Sequence, residues 1–263
     1  MNRRDAIKGL YGLGALVVTA TPYALAETHA PLKLRILSYN IQIGRGPGGS
    51  YSDPTQAHLD RTAARIADAK PDVVGLQEVD NKTGRSGTDV DQLGVIAELT
   101  GFIPTFVAKK EQNGGVYGVG VLSKEKPVSV AHAFIKGSAH RRVLEICEFQ
   151  RYYFFNTHLP LTEELRVAAV DIINAEAAKR LDKPIILLGD LNAEPDSPEI
   201  KKLQETWTQI SPNAPTFPAD DPKVQIDYIF LKNVKKFNLL EASVIDDSTT
   251  SDHRPVLCEV EIF

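Results

Sequence analysis

Cysteine is scarce in this sequence, and its scarcity excludes several kinds of site. The 263 residues include two cysteines, Cys147 and Cys258, with no CxxC pair and no cluster of cysteine with histidine. Two cysteines do not make a disulfide framework, and without such a cluster a zinc–thiolate site has no support. Both fall in apolar, strand-like runs, so we expect separate buried thiols, although an oxidising compartment would permit a bond between them.

An excess of positive charge is also missing. The chain has 30 lysines and arginines against 34 aspartates and glutamates, which gives a formal net charge of −4. Proteins that bind DNA without sequence preference normally present a face rich in lysine and arginine. Long DNA is therefore disfavoured as a substrate, while nucleotides and oligonucleotides remain open.

No apolar run is long enough to cross a bilayer. The run from Gly9 to Ala20 has twelve residues, whereas a spanning helix needs about 20. It follows three basic residues and precedes Ala24-Leu25-Ala26, an order typical of an export signal with small residues at its cleavage site. We therefore expect residues 1–26 to be an export signal, and we expect no stable membrane insertion.

Two adjacent arginines stand near the start of that signal. Arg3-Arg4, followed by Asp5, Ala6, Ile7 and Lys8, resembles the twin-arginine signal, which directs folded proteins across the bacterial inner membrane. Ala6 departs from the usual bulky apolar residue, and an ordinary secretory signal or a membrane anchor is the alternative. The signal predicts a periplasmic or secreted protein. Its removal would make the net charge −6, because it carries three basic residues and one acidic one.

The remaining residues, 27–263, have the apolar content of one large domain. They contain no Gly/Ser linker, internal repeat or low-complexity tract that would divide them. We expect a single domain that is a monomer.

Polar residues stand at the ends of several short apolar runs that are typical of buried strands. Four runs end at such a residue and two more begin just after one, and neighbouring antiparallel strands bring the end of one beside the start of the next. The sequence therefore predicts that these residues gather along one edge of a sheet: Asn40, Glu78, His158, Asp190, Asp227, Asp252 and His253.

Helical patterns lie between the strands. Helices are predicted from Thr55 to Lys70, from Gln92 to Thr100 and from Thr162 to Leu181, with a short one starting at Ser197-Pro198 and running through Trp207. In the longest, spacing of three and four residues predicts one buried face, made of Leu165, Ala168, Ala169, Ile172 and Ala175. Strands and helices alternate without a strict βαβ rhythm, which favours two packed mixed β-sheets flanked by helices.

The polar residues at the predicted edge suit phosphoester hydrolysis. That reaction needs a cation on the phosphoryl oxygens, an oriented water and donors for developing charge. Glu78 and Asp252 offer hard oxygen ligands for Mg²⁺ or Mn²⁺. The pair Asp190 and Asn192 could orient a water and donate to a phosphate oxygen, and both histidines of the edge could donate hydrogen bonds to the phosphate or its leaving group.

The motifs around these residues also carry a resemblance. Seven motifs contain or flank them: Leu37–Ile41, Pro71–Glu78, Tyr117–Ser123, Asn156–Leu159, Gly189–Ala193, Ile226–Ile229 and Ser251–Val256. In these motifs and their order, the chain from Leu34 to Ile262 resembles the endonuclease/exonuclease/phosphatase superfamily, the fold of DNase I, abasic-site endonucleases, neutral sphingomyelinases and inositol polyphosphate 5-phosphatases.

The resemblance implies a four-layer α/β sandwich and a role for each edge residue. It implies that Glu78 binds Mg²⁺, with Asn40 beside it and Asp252 as a further ligand or metal-positioning group. It further implies that Asp190 aligns and deprotonates the attacking water and that Asn192 holds a phosphoryl oxygen.

The resemblance also implies roles near the phosphate for the remaining three residues. It implies that His253, oriented by Asp227, stabilises the pentacovalent transition state, and that His158 contacts the phosphate on the leaving-group side. No covalent enzyme intermediate is expected. Taken singly, Glu78 or Asp252 could be a solvated carboxylate and the others structural, but their joint presence in ordered motifs favours a site.

Three functions remain open on the sequence. The first is a phosphodiesterase acting on a nucleotide-like or lipid-headgroup substrate, and the second is a phosphomonoesterase acting on inositol or sugar phosphates. The third is a catalytically inactive binding module, whose mark would be a missing catalytic residue. Specificity is expected in loops such as Gly44–Gly49 and Asn113–Gly115. Two further groups could line a substrate pocket or be solvated: Arg85, Asp89 and Gln92, and His140, Arg141 and Arg142.

Overall fold

The computed structural model describes residues 30–46, 56–137 and 140–263. Residues Pro31–Phe263 form one compact unit. The predicted export signal, residues 1–26, lies outside the described residues. Within the described residues, no helix has both the length and the apolar character needed to cross a membrane.

Twelve strands and four α-helices make up the described fold. The strands are β1 (Leu32–Asn40), β2 (Val73–Asn81), β3 (Ile103–Gln112), β4 (Gly115–Ser123), β5 (Ser129–Ile135), β6 (Arg142–Glu148), β7 (Tyr153–His158), β8 (Ile185–Asp190), β9 (Thr208–Gln209), β10 (Asp227–Lys232), β11 (Phe237–Val244) and β12 (Val256–Ile262). The helices are α1 (Gln56–Ala69), α2 (Gln92–Thr100), α3 (Glu163–Ala178) and α4 (Pro198–Gln204).

The strands form two six-stranded sheets. One has the order β11-β12-β1-β2-β4-β3, and the other has the order β5-β6-β7-β8-β10-β9. Each sheet is mixed, because β1 pairs parallel with β2 and β7 pairs parallel with β8, while the other neighbours are antiparallel. A parallel pair needs a crossover connection, and α1 and α3 supply it. The predicted fold class is confirmed.

Three apolar layers hold the sandwich together. Between the sheets, side chains such as Ile36 and Val256 from one sheet pack with Phe154 and Ile229 from the other. A second cluster lies between the first sheet and helices α1 and α2, and a third between the second sheet and helices α3 and α4. Removing this apolar surface from water is the main force that holds the layers in place.

A polar side chain also joins the two sheets. Asn156 in β7 donates hydrogen bonds to the carbonyl oxygens of Leu76 (3.1 Å) and Gly120 (2.9 Å) in the opposite sheet, and its own carbonyl accepts one from Gln77 (2.8 Å). All three bonds are buried, where an unpaired amide would be costly. These hydrogen bonds of Asn156 therefore help to fix the position of one sheet relative to the other.

Both cysteines are free and buried, as the sequence predicts. Burial raises the pKa of each thiol, with nearby glutamates adding to the effect. Thiols of this kind are unreactive because the thiolate is disfavoured.

The predicted buried face of the longest helix is only partly right, since Ala169 is buried and Ile172 packs against the core while the other three predicted residues are not buried. In α3 the fully buried residues are Ala169, Val170, Ile173 and Ala177, so Ala168 and Ala175 are exposed and Leu165 is half-buried. The reason is that α3 packs on the α4 segment as well as on the sheet. Arg166 forms an ion pair with the buried Glu199, and Asn174 accepts a hydrogen bond from the Trp207 indole at 2.8 Å. Trp207 itself lies beyond the end of α4.

Candidate active site

A cavity of about 470 Å³ lies at the edge where the sequence predicts a site. Its lining includes the last residues of β7 and β8 and the residue just before β10. The carboxyl ends of the parallel pairs meet at this edge, which is where ligands bind in open α/β sheets. Its lining residues are Glu78, Lys109, Lys110, Tyr117, His140, Arg142, His158, Pro160, Leu161, Asp190, Asn192, Phe217, Ile226 and His253.

Asp190, the last residue of β8, is the centre of the site. It is 1 % exposed, and its Oδ2 accepts a hydrogen bond from the Asn40 amide at 3.0 Å. The same oxygen lies 3.4 Å from His158 Nε2 and 3.8 Å from His253 Nε2. Burial raises the pKa of Asp190, with Asp227 adding to that effect and His253 opposing it. A buried carboxylate held by several groups is poised to accept a proton.

His253 is held in one orientation by a second carboxylate. Its Nδ1 lies 2.9 Å from Asp227 Oδ2, which also accepts a hydrogen bond from the Thr216 hydroxyl at 2.6 Å. Burial opposes a charge on His253, but Asp227 and Asp190 outweigh it and raise the histidine pKa. His253 is therefore held in one orientation with its charged form favoured, and it lines the cavity.

His158, the last residue of β7, has the opposite electrostatic environment. It is 4 % exposed, and burial lowers its pKa well below the ordinary value, with the positive charges of Lys109 and Arg142 adding to the effect. Its Nδ1 is buried without a hydrogen-bond partner and lies 3.9 Å from Glu78 Oε1. A neutral imidazole can still donate one hydrogen bond to a bound phosphate.

Glu78 reaches the site by a route that the strand pattern does not predict. The sequence places it at the end of a strand, but β2 continues to Asn81. Pairing with β4 slips by one residue between Leu76 and Val79, and Glu78 has a φ of 57°. This is a β-bulge, which redirects a side chain next to an active site. The bulge, and not the strand end, turns Glu78 into the cavity.

Glu78 and Asp252 fit a hard cation by their chemistry. Burial raises the pKa of Asp252, and the Glu78 carboxylate raises it further, so the two carboxylates repel each other. Within the residues that the structure describes, neither has a lysine or arginine within 4.0 Å. Carboxylate oxygens that lie close together are the donors that Mg²⁺ and Mn²⁺ prefer. Asn40 can add its carbonyl oxygen, which also accepts the Gln42 backbone N–H at 3.0 Å.

A second group of potential metal ligands is explained without a metal. Ligand atoms of Asp190, Asp227 and His253 lie within 4.8 Å of one another. However, the His253 and Asp227 atoms that face each other already form a hydrogen bond, and Thr216 donates to the same Asp227 oxygen. We therefore interpret this group as a carboxylate–histidine pair beside the Asp190 carboxylate, and Glu78, Asp252 and Asn40 as the residues that could hold a metal.

Asn192 lies two residues beyond Asp190 and turns back towards it. Its φ is 50°, its backbone N–H donates to Asp190 Oδ1 at 2.9 Å, and its amide donates to the Leu159 carbonyl oxygen at 3.0 Å. The side-chain amide has a second N–H, and Asn192 lines the cavity. Asn192 thus positions the base and retains a donor for a phosphoryl oxygen.

Sequence reasoning missed several cavity residues. Lys109, Lys110 and Phe217 line the cavity, and none belongs to a polar strand end. The only available signal was the pair of adjacent lysines near the end of a strand. Neither loop in which specificity was expected contributes a lining residue within the described part of the chain.

Of the two groups of residues that the sequence offers as pocket lining, only one contributes to the cavity. His140 and Arg142 line the cavity, whereas Arg141 packs on the Phe134 ring. From the other group, Arg85 forms a buried ion pair with Asp80, and the Gln92 amide bonds to the backbones of Asp80 and Ile43. Arg85 and Gln92 are therefore structural.

Comparisons with known proteins agree with this geometry. A model of the Endonuclease/Exonuclease/phosphatase family matches residues 37–253. No curated protein sequence matches the chain significantly.

Solved structures share the fold at low sequence identity. An endonuclease/exonuclease/phosphatase from Bacteroides vulgatus is 18 % identical, with a TM-score of 0.71 over 88 % of this chain and 100 % of that one. A mannosyl-6-phosphatase from Bacteroides thetaiotaomicron is 17 % identical, with a TM-score of 0.69 over 86 % and 99 %. The human Nocturnin catalytic domain, solved with bound sulfate, is 21 % identical, with a TM-score of 0.67 over 89 % and 94 %.

The family match spans most of the chain, and its boundaries enclose the predicted site residues from Asn40 to His253. The family's members are phosphoesterases, so the predicted enzyme class, a hydrolase of phosphoric ester bonds, is confirmed. The chain belongs to the Endonuclease/Exonuclease/phosphatase family.

Proposed function

We propose that this protein is an exported, Mg²⁺-dependent phosphoesterase that hydrolyses its substrate by in-line attack of an activated water. The observation that supports this most directly is the environment of Asp190. A buried carboxylate at the wall of a cavity is contacted by Asn40, His158 and His253, which is the arrangement of a base that is held in place beside donors for an anion.

Each side chain has one task in this proposal. Asp190 takes a proton from the water whose oxygen attacks phosphorus, while the bond from phosphorus to the leaving oxygen breaks. His253, charged and oriented by Asp227, donates to a phosphoryl oxygen as negative charge develops there. Asn192 donates to another phosphoryl oxygen, and His158 contacts the phosphate on the leaving-group side.

The proposed cofactor is a divalent cation held by Glu78 and Asp252, with Asn40 beside them. Members of this family generally depend on such a metal. When bound, Mg²⁺ or Mn²⁺ would neutralise charge on the phosphoryl group. Repulsion between the two carboxylates supports this placement, because a cation removes it.

The substrate is a phosphate ester, and its class is part of the proposal. The sequence ranks a diester first and a monoester second. The mannosyl-6-phosphatase among the structural relatives is consistent with a monoester, although at 17 % identity it supports the fold alone. In this chain the cavity is lined by three basic side chains, those of Lys109, Lys110 and Arg142. They favour a more highly charged substrate.

Hydrolysis of two generic esters by the purified protein tests the proposal. With excess Mg²⁺ we expect turnover of bis-p-nitrophenyl phosphate or p-nitrophenyl phosphate, and loss of that turnover in Glu78→Gln and in Asp190→Asn. The matched control is Asp196→Asn, which changes a fully exposed carboxylate beyond the site. Undiminished turnover in both site variants would sink the assignment, and inactivity of the wild type would favour the binding-module alternative.

Export is a separate proposal that rests on the sequence of residues 1–26. Replacing Arg3-Arg4 by Lys-Lys should block transport of folded protein if the twin-arginine interpretation is right. The location of the enzyme activity in cell fractions measures this. Unchanged export in that variant would refute the twin-arginine route and leave the enzyme proposal intact.

A further inference from the structure

Both strands that pair with β4 contain a β-bulge, and the two bulges lie close together along β4. In β2, Gln77 and Glu78 together lie opposite Val119 alone. In β3, the register passes from Ala108 opposite Gly118 to Lys110 opposite Tyr117, so Lys109 is an extra residue. Bulges of this kind re-aim single side chains. One bulge brings Glu78 to the cavity, and the other brings Lys109 to it.

Close packing of the backbone accompanies the second bulge. A Cβ atom added at Gly118 would lie 2.1 Å from the carbonyl oxygen of Val107 and 3.0 Å from Cα of Ala108. Contacts that short do not occur between a side chain and a backbone. Glycine at this position therefore lets β3 approach β4 closely, immediately before the residue that bulges.

The ammonium of Lys109 is buried and has no hydrogen-bond partner. The residue is 2 % exposed, and its Nζ is an unsatisfied atom among the described residues. The Tyr117 ring lies under it, with its centroid 3.9 Å away, and the carboxylates of Glu78 and Asp190 attract it from beyond ion-pair distance. Burying an ammonium without a partner is expensive. Burial accordingly lowers the pKa of Lys109 well below its ordinary value, with Arg142 adding to the effect.

The surroundings of Lys109 hold it firmly in place. Tyr117 is 8 % exposed, and the Arg85 guanidinium also lies over its ring, 4.8 Å from the centroid. Arg85 is fixed in turn by two hydrogen bonds to the buried Asp80, at 2.7 and 2.8 Å. The Lys109 backbone carbonyl accepts a bond from Arg141 at 3.1 Å. The ammonium is therefore presented by a rigid framework.

Three further basic side chains line the cavity close to Lys109. Together they form what we call the basic wall: Lys109, Lys110, His140 and Arg142. Across the described ranges, no carboxylate lies within 4.0 Å of Lys109, Lys110 or Arg142, although many other lysines and arginines have such a partner. A different part of the cavity lining is apolar, with Pro160, Leu161 and Phe217.

We propose that the basic wall binds negative charge that the substrate carries beyond the single charge of a simple phosphodiester, with Lys109 as the specificity-determining residue. This inference rests on the proposed function and names its substrate class. Two sources of the extra charge are chemically alike, because both are phosphate groups. The charge belongs either to a scissile phosphate that is a dianionic monoester or to a second phosphate on the same small molecule.

The selectivity of Lys109 variants tests the proposal. We compare kcat/KM for p-nitrophenyl phosphate with that for bis-p-nitrophenyl phosphate in the wild type, in Lys109→Met and in Lys109→Arg. If Lys109 binds the scissile phosphate, we expect the monoester-to-diester ratio to fall about 10- to 100-fold in Lys109→Met, the size expected for a lost charge-assisted hydrogen bond. Lys109→Arg should recover part of it. Lys124→Met, which alters an exposed lysine paired with Asp72, is the matched control.

A second pair of substrates separates the two sources of charge. If Lys109 binds a second phosphate, the variant should lose more activity on inositol 1,4-bisphosphate than on inositol 1-phosphate, measured as released phosphate. If it binds the scissile phosphate, both losses should be equal. Either pattern supports anion binding by the basic wall. If the substitution leaves the activity ratio unchanged in both substrate pairs, the proposal is overturned.

Two readouts without turnover keep the test decisive. In metal-free protein, inorganic phosphate should raise the melting temperature of the wild type more than that of Lys109→Met, at matched ionic strength. Without phosphate, Lys109→Met should melt no lower than the wild type, because it removes a buried polar group that has no hydrogen-bond partner. A lower melting temperature with unchanged phosphate response would show that Lys109 is structural. Inactivity of the wild type on every ester would refute the proposed function, and the phosphate response would still decide the role of the wall.

Discussion

Nδ1 of His253 lies 2.9 Å from Oδ2 of Asp227, and both side chains are buried. Asp227 begins β10 and His253 precedes β12, which lies in the other sheet. The pair therefore depends on how the two sheets pack, and it determines which nitrogen of His253 is free to face a substrate.

Asp227→Asn should reduce kcat/KM by about 100-fold or more, the range found when the partner of a catalytic histidine is lost. The amide removes the charge that stabilises the imidazolium of His253. The control is Thr216→Val, which removes the hydroxyl bond to the same oxygen and should cost less than about tenfold. Similar losses in both variants would show that the charge of Asp227 does not matter. Hydrolysis of the better nitrophenyl ester, with circular dichroism to check folding, provides the measurement.

Glu78→Gln should change stability in opposite directions with and without metal. In a chelator the variant should be at least as stable as the wild type, because the repulsion between Glu78 and Asp252 is relieved. With Mg²⁺ the wild type should gain stability, by about 2.7 kcal/mol at a concentration 100 times Kd, and the variant should gain less. Thermal melts over a Mg²⁺ series measure this. An equal gain in both proteins would place the metal elsewhere.

Glu145 should make stability depend on pH. It is fully buried in β6, one oxygen accepts the Thr105 hydroxyl at 2.8 Å and the other has no partner. Burial raises its pKa from 4.5 to about 8. The folded state therefore holds the proton more tightly than the unfolded state, so the stabilisation is complete below the unfolded pKa and is lost as pH rises through the folded one.

Urea unfolding of the wild type and Glu145→Gln measures the effect. Between pH 4.5 and about 8, the wild type should lose stability relative to the variant by about 1.4 kcal/mol per pH unit. Glu148→Gln, at the half-buried end of the same strand, is the control and should not show this loss. Parallel stability curves for the wild type and Glu145→Gln would contradict the prediction.

Gly189→Ala should destabilise the fold and impair the site together. A Cβ there would lie 1.9 Å from the carbonyl oxygen of Thr157, next to His158 and Asp190. Overpacking of this kind typically costs about 1–3 kcal/mol, occasionally more. Gly101→Ala is the matched control, since Gly101 also has a positive φ but meets nothing within 4 Å. Denaturant unfolding should show the larger loss for Gly189→Ala, and equal losses would mean that backbone strain alone accounts for both.

Much of the fold could be predicted from local patterns. Strand ends at Asn40, His158 and Asp190 and the strand start at Asp227 lie where the apolar runs predict them. Helix α2 has the predicted bounds, with Asp91 as its N-cap and Gly101 as its C-cap. These features depend on hydrophobic periodicity and on capping chemistry, which are properties of neighbouring residues.

Features that depend on contacts between elements could not be predicted in this way. The buried face of α3 was predicted only in part, because Arg166 and Asn174 form contacts with the α4 segment. The bulge at Glu78 has no signature in the strand pattern, since it arises from the register of β2 against β4.

The sequence by itself determined the inventory of the site: the carboxylates, histidines and asparagines of the ordered motifs, and the buried strands that carry them. Only the tertiary structure decided how those groups act on one another. The pairing of Asp227 with His253, and the placement of Lys109 against the cavity, depend on sheet packing and strand register, because these bring together residues that are distant along the chain.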